Sequence, residues 1–146
     1  MAYLLDVNVL VALFDPTHLH HEGAHRWFGA ERDAGWASCP ITENGLLRVL
    51  SNPAYPGRRT TVSDATARLR RFMASGGHEF WPDDMSVVDD QRVSAEHLTG
   101  HAQITDAYLL ALAVRRGGRL ATFDRGVRLA PVTGAGPEHL AVIEAK

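Results

Sequence analysis

At 146 residues, with hydrophobic residues at 45% and charged residues at 22%, the chain has the makeup of one globular domain, which excludes disorder and fibrous repeats. Its single cysteine, Cys39, precludes an internal disulfide and a Cys-rich zinc site and fits a reducing, cytoplasmic setting. The formal net charge of −2 neither supports nor excludes a nucleic-acid partner, because acids gathered at one site would conceal a compensating basic surface.

The apolar opening from Tyr3 to Phe14 has no basic leader and is interrupted by Asp6 and Asn8. It falls short of the about 20 apolar residues that a bilayer span takes, so no membrane association is expected. Ala2 to Leu5 reads as a strand and Val9 to Phe14 as a helix that Asp6 or Asn8 can cap, with Asp15-Pro16 ending it. A second helix is expected from His18 to Asp33, where Ala24, Trp27 and Phe28 share a face. Trp36 to Cys39 reads as a strand stopped by Pro40, followed by a helix from Thr42 to Leu50 with Leu46, Leu47 and Leu50 inward.

Pro53 to Thr61 has loop character. Ser63 then caps a helix that buries Ala65, Leu69, Phe72 and Met73 and ends at Gly76-Gly77. Glu79 to Trp81 reads as a third strand, and Asp83 to Gly100 as a polar stretch with one short helix. Thr105-Asp106 opens a helix to Arg116, Gly117-Gly118 ends it, and Arg119 to Phe123 follows as a strand. Leu140 to Ile143 adds an edge strand. Strands alternating with helices predict a single domain over 1–146, with a mostly parallel sheet of four or five strands between helical layers, a three-layer α/β/α fold.

Asp6, Glu43, Asp106 and Asp124 each stand where a strand ends or a helix begins. In open α/β sheets those positions face one rim, where ligands gather. Any one of these acids is explained by helix capping or the helix dipole. Four converging acids repel one another unless a cation joins them, and an all-oxygen ligand set suits Mg²⁺ or Mn²⁺. Such ions promote in-line phosphoryl displacement, so phosphodiester hydrolysis is the chemistry implied.

The segments Leu5-Asp6-Val7-Asn8-Val9-Leu10, Thr42-Glu43, Ile104-Thr105-Asp106-Ala107-Tyr108-Leu109 and Thr122-Phe123-Asp124-Arg125 resemble the four ordered acidic motifs of PIN-domain ribonucleases, in particular the VapC toxins of bacterial toxin-antitoxin pairs. The resemblance runs through nearly the whole chain. It implies an Mg²⁺- or Mn²⁺-dependent endoribonuclease, dimeric, acting on structured RNA such as transfer or ribosomal RNA. The products would carry 5′ phosphate and 3′ hydroxyl ends, and a VapB-type antitoxin would hold the enzyme inactive. Carried over, Asp6, Glu43, Asp106 and Asp124 are the catalytic, metal-binding acids. Asn8 and Thr105 would orient the acids or a water, or cap their helices; Thr122 would support Asp124 or favour its strand.

Three other features compete for a role. His21-Glu22-Gly23-Ala24-His25 fits the H-E-x-x-H pattern of zinc peptidases, but Gly23 weakens the helix and no third ligand stands at a recognisable spacing. Arg58, Arg59, Arg68 and Arg71 belong to the densest basic region and are the candidates for RNA phosphate contacts, although Asp64 can pair with Arg68 on a solvated face. A catalytically silent PIN-like module that binds protein or RNA is the remaining alternative, with its acids serving as caps.

Overall fold

The computed structural model describes residues 1–57 and 59–144, so Arg58 lies outside the described residues. Five parallel strands form one sheet in the order β3-β2-β1-β4-β5: β1 (Tyr3–Leu5), β2 (Trp36–Ser38), β3 (His78–Phe80), β4 (Arg119–Thr122) and β5 (Leu140–Val142). Among the described residues five α-helices flank it: α1 (Val7–Phe14), α2 (His21–Glu31), α3 (Pro40–Ser51), α4 (Val62–Ala74) and α5 (Ile104–Arg115). This is the expected α/β/α arrangement. The central strand shows how the layers form, since alternate residues point to opposite faces of a sheet. Tyr3 and Leu5 join the core beneath α1 to α4, while Ala2 and Leu4 join the core beneath α5.

Several boundaries differ from the expected ones for identifiable reasons. Pro40 opens α3 as its first residue, because proline lacks only an N–H that a first helical turn leaves unpaired anyway. Cys39 therefore becomes the cap, and its backbone N–H donates to Thr42 Oγ1 at 3.0 Å. The cap of α4 is Thr61, whose hydroxyl accepts from the Asp64 N–H at 3.0 Å, so Ser63 lies inside the helix. Gln103 stands at the cap of α5 without a side-chain bond, and Thr105 is exposed in its first turn and does not cap it. The short helix expected in the polar stretch after β3 is a single 3₁₀ turn, Ala95–His97. The stretch is tied down by Asp84, which pairs with Arg115 at 3.1 Å and Arg116 at 2.8 Å.

The C-terminus of α1 accounts for two of the competing features. A helix leaves its last four carbonyls unpaired, and here each finds a donor. Val11 O accepts from the Asp15 N–H, Ala12 O lies 2.7 Å from His21 Nδ1, Leu13 O lies 2.8 Å from His25 Nε2, and Phe14 O accepts from the Arg68 guanidinium. The two histidines of the H-E-x-x-H pattern are thus spaced one helical turn apart to meet consecutive carbonyls. Arg68 is likewise engaged with Phe14, over whose ring it lies, and not with Asp64.

Candidate active site

Each strand of the central trio ends at the same edge of the sheet, and the acids follow from there. Asp6 comes directly after β1 and caps α1, its Oδ1 accepting from the Val7 N–H at 2.8 Å. Glu43 sits in the first turn of α3, just beyond β2. Asp124 follows β4, and Asp106 lies in the first turn of α5, the helix that leads into β4. Gly45 lets α3 approach α1 beside the acids: a Cβ there would fall 2.5 Å from Val7 Cγ2.

Three of the four acids act on one another. Asp6 is buried at 7% exposure, Asp106 is half-buried and Asp124 is exposed, so they run from the floor of the site to its mouth. Burial pushes the Asp6 carboxyl above its ordinary value and the charge of Asp124 adds to the rise, against hydrogen bonds from Thr122 and Val7. Asp106 is pushed up to about 6, by burial first and then by the charges of Asp6 and Asp124. Glu43 takes no part in these shifts; its Oε2 accepts from the Ser38 hydroxyl at 2.6 Å.

Thr122 links two of the acids. It is fully buried, its hydroxyl donates to Asp6 Oδ2 at 2.9 Å, and its Oγ1 accepts from the Asp124 N–H at 3.1 Å. Asp124 Oδ1 in turn accepts from the Gly126 N–H at 2.7 Å. Asn8 is exposed in the first turn of α1, two residues beyond Asp6. Ser38 is the supporting residue that motif reading passes over; its only signal is a polar side chain closing an otherwise apolar strand.

Among the described residues no Lys or Arg forms an ion pair with any of the four acids. Nor does any group of three acidic, histidine or cysteine side chains among them stand as a ready-made ion cage, at these acids or around His21 and His25. The donor chemistry at the rim still fits a hard divalent cation. Its ligands would be carboxylate oxygens alone, and the proton affinities of Asp6 and Asp106, raised by burial first and by neighbouring carboxylates second, mark charged forms that such an ion would stabilise.

A separate groove lies at the far end of α1. It has a volume of about 480 Å³ and is lined by Phe14, Asp15, Arg59, Asp64, Arg68 and Arg71 among others. No helix among the described residues is long and apolar enough to cross a membrane.

Five parallel strands with acids at their carboxyl edge define a PIN-type fold, and the chain belongs to the PIN-domain family, whose profile matches residues 3–131. It is 46% identical over 143 residues to Ribonuclease VapC44 of Mycobacterium tuberculosis, a match covering 98% of this chain and 100% of that relative. Ribonuclease VapC38 of the same organism is 48% identical over 124 residues, covering 85% of this chain and 86% of the relative. Ribonuclease VapC39 is 45% identical over 124 residues, covering 85% and 89%. These matches bear out the resemblance drawn from the four acidic motifs.

Proposed function

We propose that this chain is a divalent-metal-dependent endoribonuclease, the toxin of a type II toxin-antitoxin pair, formed by one PIN domain. Its substrate would be structured RNA such as transfer or ribosomal RNA, its ion Mg²⁺ or Mn²⁺, its working form a homodimer, and its inhibitor a VapB-type antitoxin. The observation that carries the reading is the convergence of Asp6, Asp106 and Asp124 at the carboxyl edge of the sheet, where burial first and neighbouring carboxylates second raise the proton affinity of Asp6 and Asp106. Membership of a family whose relatives are named ribonucleases supplies the substrate class.

Asp6, Asp106, Asp124 and Glu43 would hold the ion. When bound, it supplies Lewis-acid polarisation of the scissile phosphate and acidification of water. The chain's own part is placement. Thr122 and the Val7 N–H fix both oxygens of Asp6, Thr122 and Gly126 fix the backbone and carboxylate of Asp124, and Ser38 fixes one oxygen of Glu43. An acid held in one rotamer loses less freedom on binding an ion, which is how outer partners come to matter for metal sites. Arg59 and Arg71 are proposed as phosphate contacts away from the reacting centre.

The test is cleavage of transfer and ribosomal RNA by purified protein with Mg²⁺ or Mn²⁺, read by sequencing the new 5′ ends. Asp6→Asn and Asp106→Asn should each lose at least about 100-fold in rate, the upper end of what even outer partners of metal ligands cost. EDTA should do the same to the parent protein. Cleavage by Asp106→Asn at the parent's rate would overturn the proposal. A silent binding module would bind RNA and show no Mn²⁺ uptake that the acids control.

A further inference from the structure

Ser38 closes β2 with no exposed surface, and its hydroxyl has neighbours on two sides. It donates to Glu43 Oε2 at 2.6 Å and lies 2.8 Å from His78 Nε2. A serine hydroxyl carries one proton. With that proton committed to Glu43, the oxygen must accept from the imidazole, so Nε2 of His78 must bear hydrogen. The bonds therefore run in one direction, from His78 N–H to Ser38 O–H to the Glu43 carboxylate.

The ring of His78 is itself held. His78 opens β3 and pairs in register with Trp36 on β2, and the two rings pack at a tilt of 55° with centroids 4.4 Å apart. Trp36 packs in turn on Phe72 of α4, at 4.6 Å. Ser38 lies two residues beyond Trp36 and so on the same face of the sheet, diagonal to His78. Burial favours the neutral imidazole, outweighing the carboxylates of Glu43 and Glu79, and a neutral ring carries a single N–H.

We propose that Ser38 and His78 are positioning residues for Glu43, holding Oε2 in a directed hydrogen-bond relay so that Oε1 is the oxygen left to face a divalent cation. This rests on the metal-dependent reading given above. It assigns a role to a strand that none of the acidic motifs includes. It also accounts for how Glu43 keeps one orientation: Asp6 and Asp124 each accept from a nearby backbone N–H, and Asp6 also from Thr122, whereas Glu43 has a longer side chain with more torsions to fix and accepts from Ser38.

The experiment is calorimetric titration of the full chain with Mn²⁺, alongside Asp106→Asn as the control for a lost site. Ser38→Ala and His78→Ala should each weaken Mn²⁺ binding by about 10-fold, the range seen for outer partners of metal ligands. His78→Gln, whose amide places an N–H donor where Nε2 stood, should recover most of that loss. The double variant Ser38→Ala/His78→Ala should bind no more weakly than Ser38→Ala alone, because His78 acts through the serine. Parent-like affinity in both alanine variants, with Asp106→Asn still defective, would overturn the relay alone. Absence of Mn²⁺ binding to the parent chain would overturn the relay and the metal-dependent reading together. A measurement on the parent protein guards against variants that fail to fold. The ¹⁵N spectrum of its histidine side chains should report the Nε2–H tautomer for His78, and an Nδ1–H tautomer there would overturn the proposal.

Discussion

Asp106 carries the cost of the site in a form that can be measured. In an unfolded chain such a carboxyl titrates at about 3.9, whereas in the fold it is pushed up to about 6, by burial and then by Asp6 and Asp124. Between those two values the folded chain keeps a proton that the unfolded chain has released. Stability therefore falls as pH rises through that window, and the cost is fully present above about 6. Asp106→Asn, which never ionises, should raise the thermal midpoint of the protein in EDTA at pH 8, with the difference from the parent vanishing near pH 4. Scanning calorimetry at the two pH values checks this, and a lower midpoint at pH 8 would mean that the carboxylate is not strained. In the parent, Mn²⁺ affinity should drop as pH falls through about 6, where a proton begins to compete for Asp106. Thr122 offers the complementary case. Thr122→Val keeps the shape and the strand preference but strips Asp6 of a donor and the Asp124 N–H of its acceptor. Leaving buried polar groups unpaired costs about 1–3 kcal/mol, so urea denaturation should show a loss in that range, and no loss would mean that Thr122 serves only its strand.

Packing between elements decides how close two of the acids come. Gly45 stands two residues after Glu43 and Val7 one residue after Asp6, and it is at this pair that α3 meets α1. A Cβ on Gly45 would lie 2.5 Å from Val7 Cγ2, and a β-branched side chain in a helix has little freedom to turn aside. Gly45→Ala should therefore push α3 off α1, destabilise the fold by about 1–3 kcal/mol as overpacking does, and weaken Mn²⁺ binding because Glu43 moves with its helix. Adding Val7→Ala should restore both stability and affinity; failure of that second change to rescue would place the defect elsewhere. The same element boundaries explain what the sequence makes legible. Asp6, Glu43, Asp106 and Asp124 can be found without coordinates because each sits beside an apolar run whose end marks the sheet's edge, and the parallel order follows from alternating strands and helices. Ser38 and His78 cannot be found that way, because they are 40 residues apart and meet only through the register of β2 on β3. His21 and His25 mislead for a related reason: a spacing of one helical turn suits consecutive carbonyls at a helix end as well as it suits a metal. Pro40 reads as a strand stop when it is in fact the first residue of α3.

Across the whole molecule, acidic and basic features occupy opposite ends of one short helix. Asp6 caps the start of α1, and the groove that holds Arg59, Arg68 and Arg71 opens at its finish beside Phe14 and Asp15. An eight-residue helix is about 12 Å long. A nucleic-acid strand with phosphates roughly 3.4 Å apart along a duplex covers that distance in about four nucleotides. On the function proposed above, a strand cut at the acids would lay neighbouring phosphates along the basic groove, which would give a chain of net charge −2 a way to hold RNA despite repulsion among the acids. Arg68 is unsuitable as a probe, since removing it would also uncap Phe14 O. Arg59 and Arg71 are exposed, and among the described residues neither forms an ion pair. Arg59→Ala/Arg71→Ala should weaken RNA binding without regard to sequence. The slope of log affinity against log salt should become shallower by about 1.4 to 1.8, reflecting two lost phosphate contacts. Mn²⁺ affinity, measured by calorimetry, should stay at the parent's level, because neither arginine touches the acids. An unchanged salt slope would remove this groove from the RNA path.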